Sequence, residues 1–461
     1  MIGYEFELLV RQGNGPLSKV TFLKFHSKLA ERGWKPEYDH GTGGLVGSKK
    51  DGFYVTTDDG VCIMEINAPP RDTVRECHEQ ITKLLFELQS IYTELGCSII
   101  GLSTFPGMFD IENRSCANVC LIDQCCEKSY IKYLNSQRFN KFHHALFIIA
   151  ANQVWLDVGK QDLMKTWNAL NTISGILLAL FANGPLLNDA PLDGLEGRDI
   201  LWRKMLNTSQ VQADKELFGM PIKPFASIIE YFNFILDRPF YFGTRDEKGF
   251  ILKDSTKTYR DFLTLAQSEA TWFDGASFTV SPTMDDFLKL HQLTFPHVRI
   301  KYTMKKEVSL ERVLEALATR KEDMFLGFFD RLFLECRGIS AQPQNDLSVA
   351  PALLLGLQEN IDEVVVLLAE HPYAFWYSLY CAACIGGLET VHGGIPVFAL
   401  CKRLIDIARR VLQARGHGEE AFLAPLEDRI LRKKNPAQDA LEIWEKGGLK
   451  ALYVNRDFRK A

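Results

Sequence analysis

The segment Tyr4-Glu5-Phe6-Glu7 places two glutamates in an apolar stretch near the N-terminus, with one residue between them. Because side chains of a β-strand alternate between its two faces, the carboxylates of Glu5 and Glu7 would share one face, one pleat apart. Two carboxylates in that position repel each other unless a cation lies between them. Oxygen-only ligand sets suit Mg²⁺, often together with the phosphates of a nucleotide. The segment predicts a metal-binding strand; the alternative is two solvated glutamates on a half-exposed strand.

A second acidic stretch runs from Thr57-Asp58-Asp59-Gly60 through an apolar segment to Glu65. Short strands predicted between residues 44 and 67 are punctuated by Asp-Gly pairs, which are typical of hairpin turns. A tight two-residue turn at Asp59-Gly60 would put Tyr54 opposite Glu65, so a metal site that includes Asp58 requires a looser connection. Ordinary turn chemistry is the alternative for Asp58.

Composition excludes several classes of function. Hydrophobic residues make up 46% and charged residues 24%, as in ordinary globular proteins, and the net charge of −5 gives no basic surface for nucleic acid or anionic membrane. The most apolar stretch, residues 173–182, is too short to span a bilayer, and the N-terminus shows no signal-peptide pattern. We therefore expect a soluble cytoplasmic protein that binds neither nucleic acid nor membranes.

The cysteines favour reduced thiols. Eleven cysteines are scattered along the chain, an odd number that does not suit a disulfide framework. The pair Cys381 and Cys384 lies in an apolar helical stretch and is predicted to be part of the core. Four others cluster in sequence but do not follow a standard zinc spacing: Cys116, Cys120, Cys125 and Cys126.

The order of predicted elements indicates an α+β fold. Helices are expected at residues 18–32, 71–95 and 160–181, a strand at 97–102, a long buried strand at 144–158 and another at 295–303. From residue 347 onward the pattern is almost wholly helical. The sequence predicts an antiparallel catalytic sheet flanked by helices within residues 1–345, followed by an α-helical C-terminal region, 346–461, packed on that core.

Further short segments stand in a specific order along the chain: Gln153-Val154-Trp155-Leu156-Asp157, Ala179-Leu180-Phe181-Ala182-Asn183-Gly184-Pro185, Arg198 through Trp202, Arg238-Pro239-Phe240-Tyr241-Phe242, Tyr259-Arg260-Asp261-Phe262-Leu263, Thr294-Phe295-Pro296-His297-Val298-Arg299 and Glu419 through Leu426. Together with the two acidic stretches, they resemble the glutamate–cysteine ligases of the plant and proteobacterial type. That family belongs to the carboxylate–amine ligases with a glutamine-synthetase-like catalytic sheet.

The resemblance implies an ATP- and Mg²⁺-dependent ligation, in which a carboxylate takes the terminal phosphoryl group of ATP and an amine then displaces phosphate to form an amide. It implies metal-ligand roles for Glu5, Glu7, Asp58 and Glu65. Gln153 falls where the family has a polar ligand or phosphate contact, and Arg198 where a basic residue would hold the substrate carboxylate. The alternatives are a satisfied core amide for Gln153 and a helix-face salt bridge for Arg198.

The sequence departs from the family pattern at two places. After Phe-Pro-x-Val-Arg the family has a glutamate and, two residues on, an arginine; by ungapped count Lys305 and Glu307 take those positions here, inverting the charges. Lysine binds phosphate, so Lys305, together with Lys301, is predicted to contact the nucleotide in place of a cation. The family's Gln-Val-[Asn/His] triplet also has Trp155 in its third position.

Three functions follow as hypotheses. The first is an ATP- and Mg²⁺-dependent carboxylate–amine ligase acting on glutamate or a related amino acid, with a place in glutathione biosynthesis if the amine is cysteine. The second is a catalytically silent protein of this fold that binds a small molecule or a partner protein. The third is a relative with altered nucleotide-dependent transfer chemistry. For the first, we expect small amino acids as partners and a monomer or homodimer.

Overall fold

The computed structural model of the protein describes residues 1–39, 42–107, 145–206, 218–245, 248–272, 275–290 and 294–460. The cysteine cluster Cys116–Cys126 lies outside the described residues. Within the described ranges there are twenty strands, several of only two residues: Ile2–Gln12 (β1), Gly15–Pro16 (β2), Lys35–Tyr38 (β3), Leu45–Lys50 (β4), Phe53–Thr57 (β5), Ile63–Arg71 (β6), Cys97–Ile100 (β7), Ala151–Asp157 (β8), Leu186–Leu187 (β9), Ala190–Pro191 (β10), Phe218–Gly219 (β11), Gly243–Arg245 (β12), Lys248–Leu252 (β13), Ser268–Trp272 (β14), Ser277–Val280 (β15), Phe295–Pro296 (β16), Val298–Met304 (β17), Phe329–Ser340 (β18), Val391–His392 (β19) and Ile395–Pro396 (β20).

Ten of these strands form one antiparallel sheet, in the order β17-β18-β8-β1-β6-β5-β4-β3, with β2 and β7 pairing with β1 beyond this path. The N-terminal strand β1 therefore lies near the centre of the sheet, between β6 and β8. A separate four-stranded sheet is made by β12 to β15. The prediction of an α+β fold built on an antiparallel sheet is confirmed.

The described residues also contain sixteen α-helices: Lys19–Glu31 (α1), Val74–Glu94 (α2), Leu163–Thr172 (α3), Ser174–Phe181 (α4), Gly197–Leu206 (α5), Ile228–Leu236 (α6), Tyr259–Thr264 (α7), Met284–Leu288 (α8), Leu310–Ala318 (α9), Glu322–Gly327 (α10), Val349–Glu359 (α11), Ile361–Leu368 (α12), Tyr373–Gly386 (α13), Val397–Arg415 (α14), Ala424–Arg432 (α15) and Pro436–Arg456 (α16). From Val349 onward the regular elements are helices apart from the two-residue strands β19 and β20. The division at residue 345 into a core and a helical region stays a prediction.

The two faces of the main sheet have different characters. On one face, Tyr4, Phe6 and Leu8 of β1 are buried together with apolar side chains of β6 and β8, and helices α2, α4 and α11 pack on the sheet. Helix α4 is buried along its whole length, which explains its uniformly apolar sequence. The opposite face carries Glu5, Glu7 and the polar residues of neighbouring strands, so the alternation of β1 separates the core from a polar surface.

Two predicted elements differ from the structure. The predicted strand 144–158 pairs with the sheet only over Ala151–Asp157, because the preceding residues bond instead to the segment around Ser103 and Phe105. The predicted helix 160–181 is divided at Ile173 into α3 and α4. At the division, the Asn171 side chain exchanges hydrogen bonds with the backbone of Val298, at 3.0 and 3.1 Å, and so ties the helix end to β17.

Helices of the described ranges include none that combines the length and the apolar character needed to cross a bilayer. No disulfide joins any two of the seven described cysteines. Cys384 is buried, as predicted for the core, whereas Cys381, three residues earlier on α13, is exposed.

Candidate active site

The polar face of the sheet brings Glu5 and Glu7 beside residues of both neighbouring strands. Glu5 stands opposite Asn67 of β6 and Gln153 of β8, and Glu7 stands opposite Glu65 of β6. As predicted, Glu5 and Glu7 lie on the same face of β1. Together with Glu65, three glutamates from two adjacent strands share this face.

Two of these carboxylates accept hydrogen bonds from protein donors. One oxygen of Glu7 accepts from the backbone N–H of Ala151 at 2.7 Å, and the other accepts from Nε2 of Gln153 at 2.6 Å. Oε1 of Glu65 accepts from Nδ2 of Asn67 at 2.6 Å. Gln153 thus acts as a donor that fixes Glu7, while its own Oε1 is buried without a partner in the described part of the chain.

The carboxylates raise one another's pKa values. Burial, and then the negative charges of Glu65, Glu335, Glu7 and Asp58, hold the pKa of Glu5 well above its usual range. Burial and the charge of Asp58 raise the pKa of Glu7 to about 8, although the nearby guanidinium of Arg198 acts in the opposite direction. Carboxylates that disfavour their own ionisation in this way form a site that a divalent cation would relieve.

Asp58 reaches this group because the connection between β5 and β6 is loose. The last paired residues are Thr57 and Met64, and Thr56, rather than Tyr54, stands opposite Glu65. Residues 58–62 form an irregular loop in which the Thr57 hydroxyl donates to the Gly60 carbonyl at 2.5 Å. A Cβ at position 60 would lie 2.3 Å from the carbonyl oxygen of Phe147, so only glycine fits this close approach.

The structure places Lys305 and Glu307, the positions of the predicted charge inversion, away from the acidic face, and a nucleotide contact of Lys305 stays a prediction. Both residues are exposed and lie in the turn after β17, where the backbone N–H of Lys305 donates to the Phe328 carbonyl. Lys305 is six residues beyond Arg299, about 20 Å along the strand direction, so it is not brought to the acidic face. A glutamate with an arginine two residues on stands instead on the next strand, at Glu335 and Arg337 of β18.

Glu335 lies opposite Trp155 of β8 and Arg299 of β17, which places it on the polar face. Its carboxylate is 2.6 Å from Nε of Arg299, 3.3 Å from Nζ of Lys301 and 3.9 Å from the Arg337 guanidinium. Burial opposes ionisation, but these three cations together hold the pKa of Glu335 down to about 2. Lys301, which is predicted to contact the nucleotide, therefore lies beside Glu335, at the end of the polar face opposite to Asp58.

Arg198 is buried at the start of α5, close enough to Glu7 for its charge to lower the pKa of that carboxyl. It lines a small cavity together with Arg337 and His297. The start of α5 is anchored to neighbouring elements, because Asp199 accepts a hydrogen bond from the Tyr380 hydroxyl at 2.6 Å and contacts Nε2 of His297 at 3.0 Å. The two guanidinium groups border the acidic residues, that of Arg198 near Glu7 and that of Arg337 near Glu335.

Sequence reasoning missed Glu335, Arg337 and Arg299. The signal for the first two was present as a Glu-x-Arg pattern, but it occurs 36 residues after Arg299, beyond the reach of ungapped counting. The hairpin between β17 and β18 contains helices α9 and α10, so the two strands are neighbours in space while their residues are distant in sequence.

The carboxylates of the polar face suit a divalent cation in the type of ligand atom and in charge. As the side chains are oriented, no three Asp, Glu, His or Cys groups in the described ranges lie close enough to hold one metal ion. Glu7 and Glu65 are turned toward the protein donors described above. Carboxylate oxygens of Glu5, Glu7, Glu65 and Asp58 are nevertheless the ligands that Mg²⁺ prefers, and their mutual repulsion favours a bound cation. The residues present therefore fit such an ion after rotation of their side chains.

Comparison with known proteins identifies relatives of this chain. The model of a family described as glutamate-cysteine ligase family 2 matches residues 49–455. A chloroplastic glutamate–cysteine ligase of Medicago truncatula is 22% identical over 389 residues, covering 82% of this chain and 66% of that protein. The chloroplastic enzyme of Nicotiana tabacum is 21% identical over 456 residues, covering 96% of this chain and 74% of that protein.

A solved structure also matches. The glutamate–cysteine ligase of Francisella tularensis in complex with AMP has a TM-score of 0.50 and 12% sequence identity, covering 99% of this chain and 87% of that chain. This similarity shows the fold. The plant relatives are named as chloroplastic, and a cytoplasmic location of this chain stays a prediction.

Proposed function

Because the chain belongs to the glutamate-cysteine ligase family 2, we propose that it is an ATP-dependent carboxylate–amine ligase acting on glutamate or a related amino acid. A substrate carboxylate oxygen attacks the terminal phosphorus of ATP, ADP leaves, and an acyl phosphate forms. The nitrogen of an amine then attacks the acyl carbon, phosphate leaves, and the amine loses a proton as the amide is made.

The observation that carries the proposal is the group of carboxylates on the polar face, bordered by arginines. A reaction between two anions, a carboxylate and a triphosphate, requires positive charge placed where they meet. Glu5, Glu7, Asp58 and Glu65 would hold Mg²⁺ there. When bound, Mg²⁺ would neutralise phosphate charge.

The arginines are suited to orient the substrates. Arg198 and Arg337 line the same cavity near Glu7 and present planar guanidinium groups, which bind carboxylates with two parallel hydrogen bonds. We assign the substrate carboxylate to this end of the polar face. Lys301 and Arg299, at the Glu335 end, are placed to contact phosphate oxygens. Gln153 keeps Glu7 in position.

The amine acceptor is proposed from the relatives. The plant proteins are named glutamate–cysteine ligases, so cysteine is the first amine to test, and its use would place the protein in glutathione biosynthesis. The substrate panel should also contain other amino acids and simple amines, because Trp155 stands where the family pattern has asparagine or histidine.

The test is ATP-dependent phosphate release with glutamate and each amine of the panel. We expect release that requires both the amino acid and the amine, and Glu65→Gln to abolish it while the far-ultraviolet circular dichroism is unchanged. Glu269→Gln, an exposed strand glutamate of the small sheet, is the matched control and should keep full activity.

Two results would contradict the proposal. Persistent activity in Glu65→Gln would remove the metal assignment. Thermal stabilisation by ATP with Mg²⁺, without phosphate release for any pair of the panel, would favour a silent binding protein or altered transfer chemistry, because a ligand of the native state must raise the melting temperature even without turnover.

A further inference from the structure

A cleft of about 590 Å³ opens beside the acidic residues, at the end of β1 that carries Gly3. Its walls include Gly3, Asn67, Trp155 and Phe333. Gly3 is two residues from Glu5 on the same strand face, and Trp155 is two residues from Gln153, so each step is about 7 Å along a strand. The cleft is therefore continuous with the polar face.

An aromatic surface forms one side of this cleft. The rings of Trp155 and Phe333 are stacked, with centroids 5.1 Å apart and an angle of 24° between their planes. Nζ of Lys301 lies 5.1 Å from the centroid of the Trp155 ring. Both aromatic side chains keep part of their surface exposed. The ring of Trp155 therefore presents an electron-rich surface next to the positive charge of Lys301.

Gly3 leaves space next to the indole. It pairs directly with Trp155 across the β1–β8 ladder, and a Cβ at this position would lie 3.2 Å from Cβ of Trp155. Because glycine has no side chain, the cleft extends beside the indole on this flank. The indole Nε1, in addition, is buried without a hydrogen-bond partner among the described residues.

We propose that this cleft binds the planar base of the nucleotide, stacked on Trp155. The proposal rests on the proposed function, since it assigns one part of ATP to one part of the same site. The base of a nucleotide lies at the opposite end of the molecule from its terminal phosphate, so it must lie away from the carboxylates that hold the cation.

The positions of the charged residues along β1 indicate how the amino acid and the nucleotide would be oriented on the polar face. Arg198 and Arg337 line a separate cavity that shares no residue with the cleft, and the charge of Arg198 acts on Glu7, so the arginines that suit a carboxylate lie toward the Glu7 end. The aromatic cleft lies at the other end, beyond Glu5. The amino acid would therefore enter near Arg198, the phosphates would lie over the carboxylates, and the base would occupy the cleft.

The experiment compares two ligands, ATP and inorganic triphosphate, each with Mg²⁺, by calorimetry on the full chain. Stacking of a base on an aromatic side chain makes binding roughly 5- to 100-fold tighter. We expect Trp155→Leu to weaken ATP binding by that factor and to leave triphosphate binding unchanged, and Trp155→Phe to keep most of the ATP affinity. Trp444→Leu, on helix α16, is the matched control and should change neither affinity.

The outcomes separate the two proposals. If the wild-type protein binds neither ligand, the proposed function fails and the base site with it. If both bind but Trp155→Leu weakens them equally, or weakens neither, only the base site is overturned. Should Trp155→Leu not fold, the wild-type protein still decides: equal affinities for ATP and triphosphate would refute a platform for the base.

Discussion

The ion cluster around Glu335 predicts a specific effect on stability. Its pKa of about 2, against an ordinary 4.5, corresponds to about 3 kcal/mol of favourable interaction, at about 1.4 kcal/mol for each pH unit. Arg299 makes the shortest contact, at 2.6 Å, and both side chains are buried. We expect Arg299→Met to lower the free energy of unfolding by about 2–3 kcal/mol, because Lys301 and Arg337 keep part of the compensation.

Urea unfolding followed by tryptophan fluorescence would measure this cost. Arg403→Met is the matched control: its partner Glu370 is exposed, so the loss of that pair should cost less than about 1 kcal/mol. Glu335→Gln alone should also be destabilising, and the double substitution Arg299→Met with Glu335→Gln should cost less than the sum of the two single losses, because both remove the same contact.

The pH dependence provides a second check. A carboxyl whose pKa is lowered in the folded state contributes stability above its unfolded pKa, and this contribution is lost as the pH falls from about 4.5 toward 2. The difference between wild type and Arg299→Met should therefore shrink over that range. Strictly additive substitutions, or a difference that does not depend on pH, would refute the argument.

Two further predictions concern the buried residue His26 of α1 and the lysines Lys301 of β17 and Lys305 of the following turn. Burial lowers the pKa of His26, which is hydrogen-bonded to Ser48, to about 3. Below pH 6.5 the unfolded chain therefore binds a proton at this residue that the native state does not bind. As the pH is lowered, the free energy of unfolding then decreases by about 1.4 kcal/mol per pH unit. Between pH 7 and 5, wild type should lose about 2 kcal/mol more than His26→Asn in urea unfolding, and parallel losses would contradict this cause. Lys305→Ala should keep ATP-dependent phosphate release within about twofold, whereas Lys301→Ala should lower it more than about tenfold; loss of activity in Lys305→Ala would place that residue in the site.

Local patterns were sufficient for much of the fold. The alternation of Glu5 and Glu7 within apolar neighbours fixed which face of β1 is polar, since the period of a strand is a local property. The helix Val74–Glu94 agrees with the predicted 71–95 because Thr73 and Glu76 form a capping box that marks its start. The helix break at Ile173 was not foreseen, because its cause is a contact of Asn171 with a strand more than a hundred residues away.

The site itself was only partly predictable, and for the same reason. Glu65 follows from a hairpin, whose pairing depends on nearby residues. Glu335 and Arg299 face each other only after β17 and β18 have paired across helices α9 and α10. Ungapped counting does not include the residues inserted between the two strands, so it aligned the family's Glu-x-Arg pattern with Lys305 and Glu307 and not with Glu335 and Arg337.

The antiparallel ladder under the acidic residues also restricts how such a chain can diverge. Insertion or deletion of a single residue within β1, β6, β8 or β18 that is not absorbed by a bulge, such as those in the β1–β6 and β18–β8 pairings, would turn the following side chains of that strand to the opposite face and send a carboxylate into the core. Changes of length are harmless only where the ladder is interrupted, as between β17 and β18. Apolar positions behind the sheet can be exchanged by repacking. Evolution of this architecture is therefore expected to be permissive in loop length and core composition and strict in strand register.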